Sequence, residues 1–232
     1  SAMNFSKLHP YRFEIFFLSQ FFILFGSIFV SNSFFDLWLL PAMFFINIFA
    51  GLIMMSKKRL KFIVFLILIG ISGFLLVYRL LTNEYEEEIV FLRMAINFLF
   101  YLFVTYEIVQ QVWDAKKISS SVIFGLISGY VSIGLIGYFI CMTIELAVPG
   151  SFHASFKGAF SRDNFNDEFM YFSYITLLSI GYGDITPAST LAQKVSVLIG
   201  LIGQMYNVII TAIVVGKYIN QLNQSKNKLE KE

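Results

Sequence analysis

The chain has 232 residues, a hydrophobic fraction of 57%, only 14% charged residues and a mean hydropathy of +0.73. Soluble domains carry about 25% charged residues, so this composition excludes a large water-clothed domain and points to a lipid bilayer. The formal net charge of +2 says little by itself, no nucleic-acid partner is expected, and the single cysteine, Cys141, excludes an intrachain disulfide.

A membrane helix needs ~20 mostly apolar residues to cross a hydrocarbon core of ~30 Å. Ser1 and Ala2 ahead of Met3 read as a remnant of an expression tag and are set aside. No cleavable signal peptide is expected, because the first apolar run lacks a small-residue cleavage site and is long enough to span. Candidate spans run over 13–31, 37–55, 62–81, 89–112, 118–148 and 191–218. The apolar stretch 169–180 is too short to cross and reads as a re-entrant segment. Such backbone is tolerated at membrane depth only when protein buries it or it lines a water-filled cavity. The expected fold is therefore an all-α membrane protein with six transmembrane helices and one re-entrant helix. It divides into a four-helix domain over 1–117, a second domain over 118–218 and a short cytoplasmic tail over 219–232.

Basic residues set the expected orientation. Lys7 and Arg12 precede the first span, Lys57, Lys58, Arg59 and Lys61 separate the second and third, and Lys116 and Lys117 separate the fourth and fifth. Lys217, Lys226 and Lys228 follow the sixth, while the alternate loop 31–36 has no Lys or Arg and 82–88 is acidic. The positive-inside rule then places both termini in the cytoplasm of a cell membrane. An even count of six crossings agrees with this.

Polar groups within spans are costly and tend to be functional. Glu14 and Glu107 fall near cytoplasmic ends, where reaching toward water is the expected role, and Asn97 lies deeper, where an interhelical hydrogen bond is expected. The outer residues Glu84, Glu86, Glu87 and Glu88 read as a solvated loop. A voltage-sensing fourth span needs regularly spaced basic residues, since one charge moved through 100 mV is worth ~2.3 kcal/mol. The fourth span carries only Arg93, and Arg79 ends the third. A six-span plan without sensing charges excludes strong voltage dependence by that route.

The fifth and sixth spans flank a polar outer connection, 149–165, the re-entrant segment and a sharp turn. A single such hairpin per chain requires several copies to close a pore around an axis, assembled with cyclic symmetry. The stretch 176–184 reads TLLSIGYGD. A potassium pore must replace the ion's water shell with rings of backbone carbonyls from four chains. Consecutive carbonyls point to one axis only if the backbone alternates between ordinary and left-handed conformations, which glycine adopts at little cost. Gly181 and Gly183 sit at alternate positions, and the Ser179 hydroxyl adds an oxygen ring at the inner end.

Over roughly 119–218 the sequence resembles the tetrameric potassium channel superfamily, whose filter reads T-V-G-Y-G. Ser179 stands in the threonine's place, Ile180 in the valine's, and Gly181, Tyr182, Gly183 and Asp184 match outright. The resemblance implies K+ coordination by the carbonyls of Ser179, Ile180, Gly181 and Tyr182, with the Gly183 carbonyl facing the outer mouth. It implies a homotetramer in membrane lipid, with K+ ions in the filter and no cofactor. Nonselective relatives replace the tyrosine with an acidic residue, and Tyr182 is kept here.

The re-entrant helix is expected to start near Asn166, Asp167 and Glu168. Thr176, Tyr171, Phe172 and Asp184 form the expected filter support. Phe172 lacks the hydrogen-bond donor of the tryptophan often found there, Tyr171 is placed to reach Asp184, and Ile175 replaces a glutamate of some relatives. Gly203, nineteen positions beyond Asp184, matches the family's inner-helix hinge; with Gly200 nearby, tight packing against the pore helix is the competing role. Asn207 and Thr211 are expected to face the cavity, and Val214, Val215 or Tyr218 to form an inner constriction. The expected function is passive K+ conduction; the alternatives are a nonselective cation channel or a regulatory subunit. His9 and His153 lie far apart and no nucleophile–base pattern occurs, so an enzyme is not expected. The gating stimulus is not readable.

Overall fold

The computed structural model describes residues 8–30, 34–55, 59–82, 87–115, 117–156 and 165–229. Lys7, Lys57, Lys58, Glu84, Glu86 and Lys116 lie outside the described residues.

Helix α1, Arg12–Phe25, is entered through a 3-10 turn containing Pro10 and leaves through a second at Gly26–Ile28. A proline suits a helix start because its missing N–H would be unpaired there anyway. A π-helical turn, Phe35–Leu39, leads into α2, Leu40–Met55. Its widened pattern lets the Leu40 N–H reach the Phe35 carbonyl immediately before Pro41, which has no N–H to give. Then come α3, Arg59–Thr82, α4, Glu87–Asp114, and α5, Ser120–Ala147. Ser119 caps α5, its Oγ accepting from the Val122 N–H. Strand β1, Phe152–Ala154, precedes α6, Phe165–Leu177; β2, Ile185–Pro187, precedes the 40-residue α7, Thr190–Leu229.

Five helices among the described residues are long and apolar enough to cross a membrane, and Leu40–Met54 is a shorter apolar helix. The expected second span is thus split between the π turn and α2. The strands correct the all-helical expectation. Phe152 pairs with Pro187, His153 with Thr186 and Ala154 with Ile185, antiparallel. That two-stranded clasp ties the outer loop to the chain that leaves the GYG turn.

Helix α5 is the hub, packing against α1, α4, α6 and α7. Over half of its apolar window is buried (56%), against 11% for α3 and 11% for α7. In lipid, helix association comes from van der Waals packing and interhelical hydrogen bonds rather than from the hydrophobic effect. Aromatic rings supply the packing: Phe100 meets Tyr101 at 4.9 Å and Phe65 at 5.5 Å, and Phe44 meets Phe139 at 5.3 Å. Hydrogen bonds run through the same layer. Tyr101 Oη donates to Asn47 Oδ1 at 2.7 Å, Asn47 Nδ2 to Ser19 Oγ at 2.7 Å, and Gln20 Nε2 to Ser132 Oγ of α5 at 2.8 Å.

Two expectations for polar residues are corrected. Glu107 does not reach toward water: it is 1% exposed and forms an ion pair with Lys61 of α3. Gln111 Nε2 also donates to Glu107 at 3.1 Å while its Oε1 accepts from Arg12 at 2.8 Å. The N-terminal ends of α1 and α3 and the C-terminal part of α4 converge there, so the carboxylate finds partners inside the protein, as a buried charge must. Asn97 is buried, yet among the described residues its Oδ1 accepts no hydrogen bond. Glu14 accepts from Ser121 Oγ of α5 at 3.1 Å. Cys141 is buried as a free thiol.

Candidate functional site

Helix α6, with 13 residues against 28 in α5 and 40 in α7, is held by α5 through short polar tethers. Ser173 Oγ donates to the Gly134 carbonyl at 2.7 Å, Tyr174 Oη to the Val131 carbonyl at 2.6 Å, and Tyr138 Oη to Asn166 Oδ1 at 2.8 Å. The approach needs glycine on α5: a Cβ at Gly134 would lie 2.3 Å from the Tyr174 ring. Asp167 and Glu168 occupy the first turn of α6, complementing the positive end of its dipole. Its negative end opens directly onto the GYG turn.

Backbone bonds consume the amides of that turn. The Ser179 N–H donates to the Thr176 carbonyl at 3.0 Å, and the Ile180 and Gly181 N–H groups both donate to the Ile175 carbonyl, at 2.8 and 3.2 Å. Ser179, Gly181 and Gly183 have positive φ, at 57°, 55° and 79°. Alternate residues are therefore left-handed, as a run of carbonyls aimed one way requires. Ser179 adopts that region although it is not glycine, which costs roughly 1–2 kcal/mol. Among the described residues, no hydrogen bond is accepted by the carbonyls of residues 179–183. Residues 179–183 are all exposed in the single chain.

The supports differ in part from expectation. Tyr171 Oη donates to Asp184 Oδ2 at 2.6 Å, which pushes the tyrosine up to about 12 and keeps it a donor at neutral pH. Asp184 Oδ1 accepts from the Ile185 N–H and its carbonyl from the Ser155 N–H, joining the turn to the clasp. Phe172 is buried, but its ring meets Phe152 of β1 at 5.1 Å, so it braces the clasp. Tyr182 is 72% exposed and Ile180 48%. Their own chain does not cover them.

On α7, Gly203 faces the C-terminal end of α6, where a Cβ would stand 2.4 Å from the Leu177 carbonyl; a Cβ at Gly200 would stand 3.7 Å from the Thr176 carbonyl. The helix runs unbroken through both, and the missing Cβ at 203 permits the close approach of α7 to α6. Asn207 Nδ2 donates to Tyr130 Oη at 3.3 Å, and Tyr130 Oη donates to the Leu177 carbonyl at 3.2 Å. Asn207 and Thr211 line an open groove with Val208, Ala212, Val215 and Gly216. Val215 and Tyr218 are exposed and Val214 is half-buried.

Three residues escaped the sequence reading. Glu145, near the C-terminal end of α5, accepts from the Gly150 and Phe152 N–H groups at 2.8 and 3.0 Å and fixes the turn into β1. Gln204 Nε2 donates to Ser179 Oγ at 2.8 Å. Lys217 Nζ donates to the carbonyls of Val112, Trp113 and Ala115 at 3.0, 2.6 and 2.7 Å, capping the end of α4. Glu145 and Gln204 were signalled only as polar residues in apolar helices, and Lys217 was read only as an orienting charge.

A family model described as an ion channel matches residues 126–220. It covers most of α5, the clasp, α6, the GYG turn and α7 through Asn220. No curated protein and no solved structure matches the chain. The family match supports an ion channel, and the long apolar helices suit a membrane protein.

Proposed function

We propose that this chain is one subunit of a homotetrameric, potassium-selective channel that conducts K+ passively across a cell membrane. The observation that carries the reading is the alternation of positive φ at Ser179, Gly181 and Gly183 beside unbonded carbonyls. Four such strands around an axis would present stacked oxygen rings at the dipole-negative ends of four short helices. K+ would be held by the carbonyls of Ser179, Ile180, Gly181 and Tyr182, with the Ser179 hydroxyl below and Gly183 at the outer mouth. The exposure of Ile180, Tyr182 and the apolar positions of α7 fits burial against neighbouring subunits.

The π turn and α2 contain 5 and 16 residues. At ~1.5 Å per residue they reach about 30 Å, enough for a sixth crossing. Both termini are then cytoplasmic, matching the basic loops. The first four helices act as a structural domain rather than a voltage sensor, because α4 carries only Arg93 as a basic residue.

Purified protein in planar bilayers tests this. A reversal potential that follows the potassium gradient and ignores the sodium gradient is expected. Equal potassium and sodium currents would replace the reading with a nonselective cation channel, and no current with a nonconducting subunit.

A further inference from the structure

Ser179 is the one filter position whose side chain, rather than its backbone alone, is placed to meet an ion. Serine holds this task loosely. Its unbranched side chain rotates among staggered χ1 wells, and the hydroxyl hydrogen turns about the Cβ–Oγ bond as well. A hydroxyl carries one donor hydrogen and two acceptor lone pairs. Turned the wrong way, it offers a cation its hydrogen.

Gln204 removes that freedom. It follows Gly203, whose missing Cβ lets α7 lie against the Leu177 carbonyl at the end of α6. From there the Gln204 amide reaches the base of the filter and donates to Ser179 Oγ at 2.8 Å. With one lone pair held by this N–H, the hydroxyl hydrogen must point elsewhere and the second lone pair is set. Gln204 is exposed within the chain, on the side of α7 that carries Asn207 and Thr211 into the open groove.

We infer that Gln204 is a positioning residue for the innermost cation site: its amide holds the Ser179 hydroxyl with oxygen toward the ion. The inference rests on the potassium-channel reading above.

The test uses the full chain in planar bilayers, with Ba2+, a divalent cation close to K+ in radius, applied from the cytoplasmic side as a blocker. Wild type is recorded first. If it shows no potassium-selective current, both readings fall. If it is selective, Gln204→Leu is expected to weaken Ba2+ block by about fivefold or more, the loss of one neutral hydrogen bond repeated around a ring. Gln204→Met, which keeps side-chain length but loses the donor, gives the same reading from a second variant. In a Ser179→Ala background there is no hydroxyl to orient, so Gln204→Leu is expected to change block by less than about twofold. Unchanged block in both variants of a selective channel overturns this inference alone. So does an equal loss in the wild-type and Ser179→Ala backgrounds, because Gln204 would then act through something other than the hydroxyl's orientation.

Discussion

The first four helices and the helices from α5 onward place their polar groups differently. In α1–α4, buried polar side chains pair with one another: Tyr101 with Asn47, Asn47 with Ser19, Glu107 with Lys61 and Gln111. From α5 onward, side-chain pairs such as Tyr171 with Asp184 and Gln204 with Ser179 are accompanied by several side chains that grip backbone. Ser173, Tyr174, Tyr130 and Glu145 each hold a carbonyl or an amide. That leaves one run of carbonyls, 179–183, accepting nothing within the described chain. A polar group satisfied at home stabilises a fold; a series held open and aligned is placed for something else. Among the described residues, the GYG turn is such a series.

The contrast can be broken most forcefully in the four-helix half. Lys61→Met leaves the Glu107 carboxylate buried without its ammonium and is expected to cost roughly 3 kcal/mol. Thermal unfolding of the purified protein should show the loss, and adding Glu107→Gln should recover most of it. Channels that survive should keep the wild-type reversal potential; a shifted one would mean that this half shapes permeation.

Next in size is the contact between α7 and α6. Gly203→Ala drives a methyl into the Leu177 carbonyl and is expected to cost roughly 1–3 kcal/mol and much of the current. Gly200→Ala meets only ordinary van der Waals contact and should gain some helix stability. If bending rather than packing explains the glycines, the two variants should reduce channel opening alike.

The smallest expected effect is at the outer brace. Tyr171→Phe removes the bond to Asp184, about 1 kcal/mol, and should make steady current decline faster during sustained recording. Because the tyrosine is raised to about 12, the brace is fully formed below the ordinary tyrosine range and is lost only as pH rises through that value. Unchanged steady conductance in Tyr171→Phe would show that the tether does not hold the filter.

The GYG turn was legible in the sequence because its chemistry is backbone chemistry. Only glycine adopts positive φ freely, so Gly181 and Gly183 announce the conformation. Ser179 was not so announced: its φ of 57° is set by the helix end that precedes it, with its N–H on the Thr176 carbonyl. The clasp was missed for a related reason, since three-residue strands carry too short a pattern to stand out and form only when residues 152–154 and 185–187 meet. Phe172 was read as filter support from the resemblance alone. Its partner, Phe152, lies across a loop that no local spacing reports.

By itself the sequence determined the apolar helices, the half-length segment between the last two and the turn that follows it. Length, hydropathy and glycine placement are local properties, and bilayer thickness and backbone sterics act on them directly. Tertiary structure alone decided which polar residues are paired: that Glu107 is buried against Lys61, that Lys217 caps α4, and that Gln204 reaches Ser179. Those outcomes depend on how closely helices approach, and approach is set by packing between segments far apart in the chain.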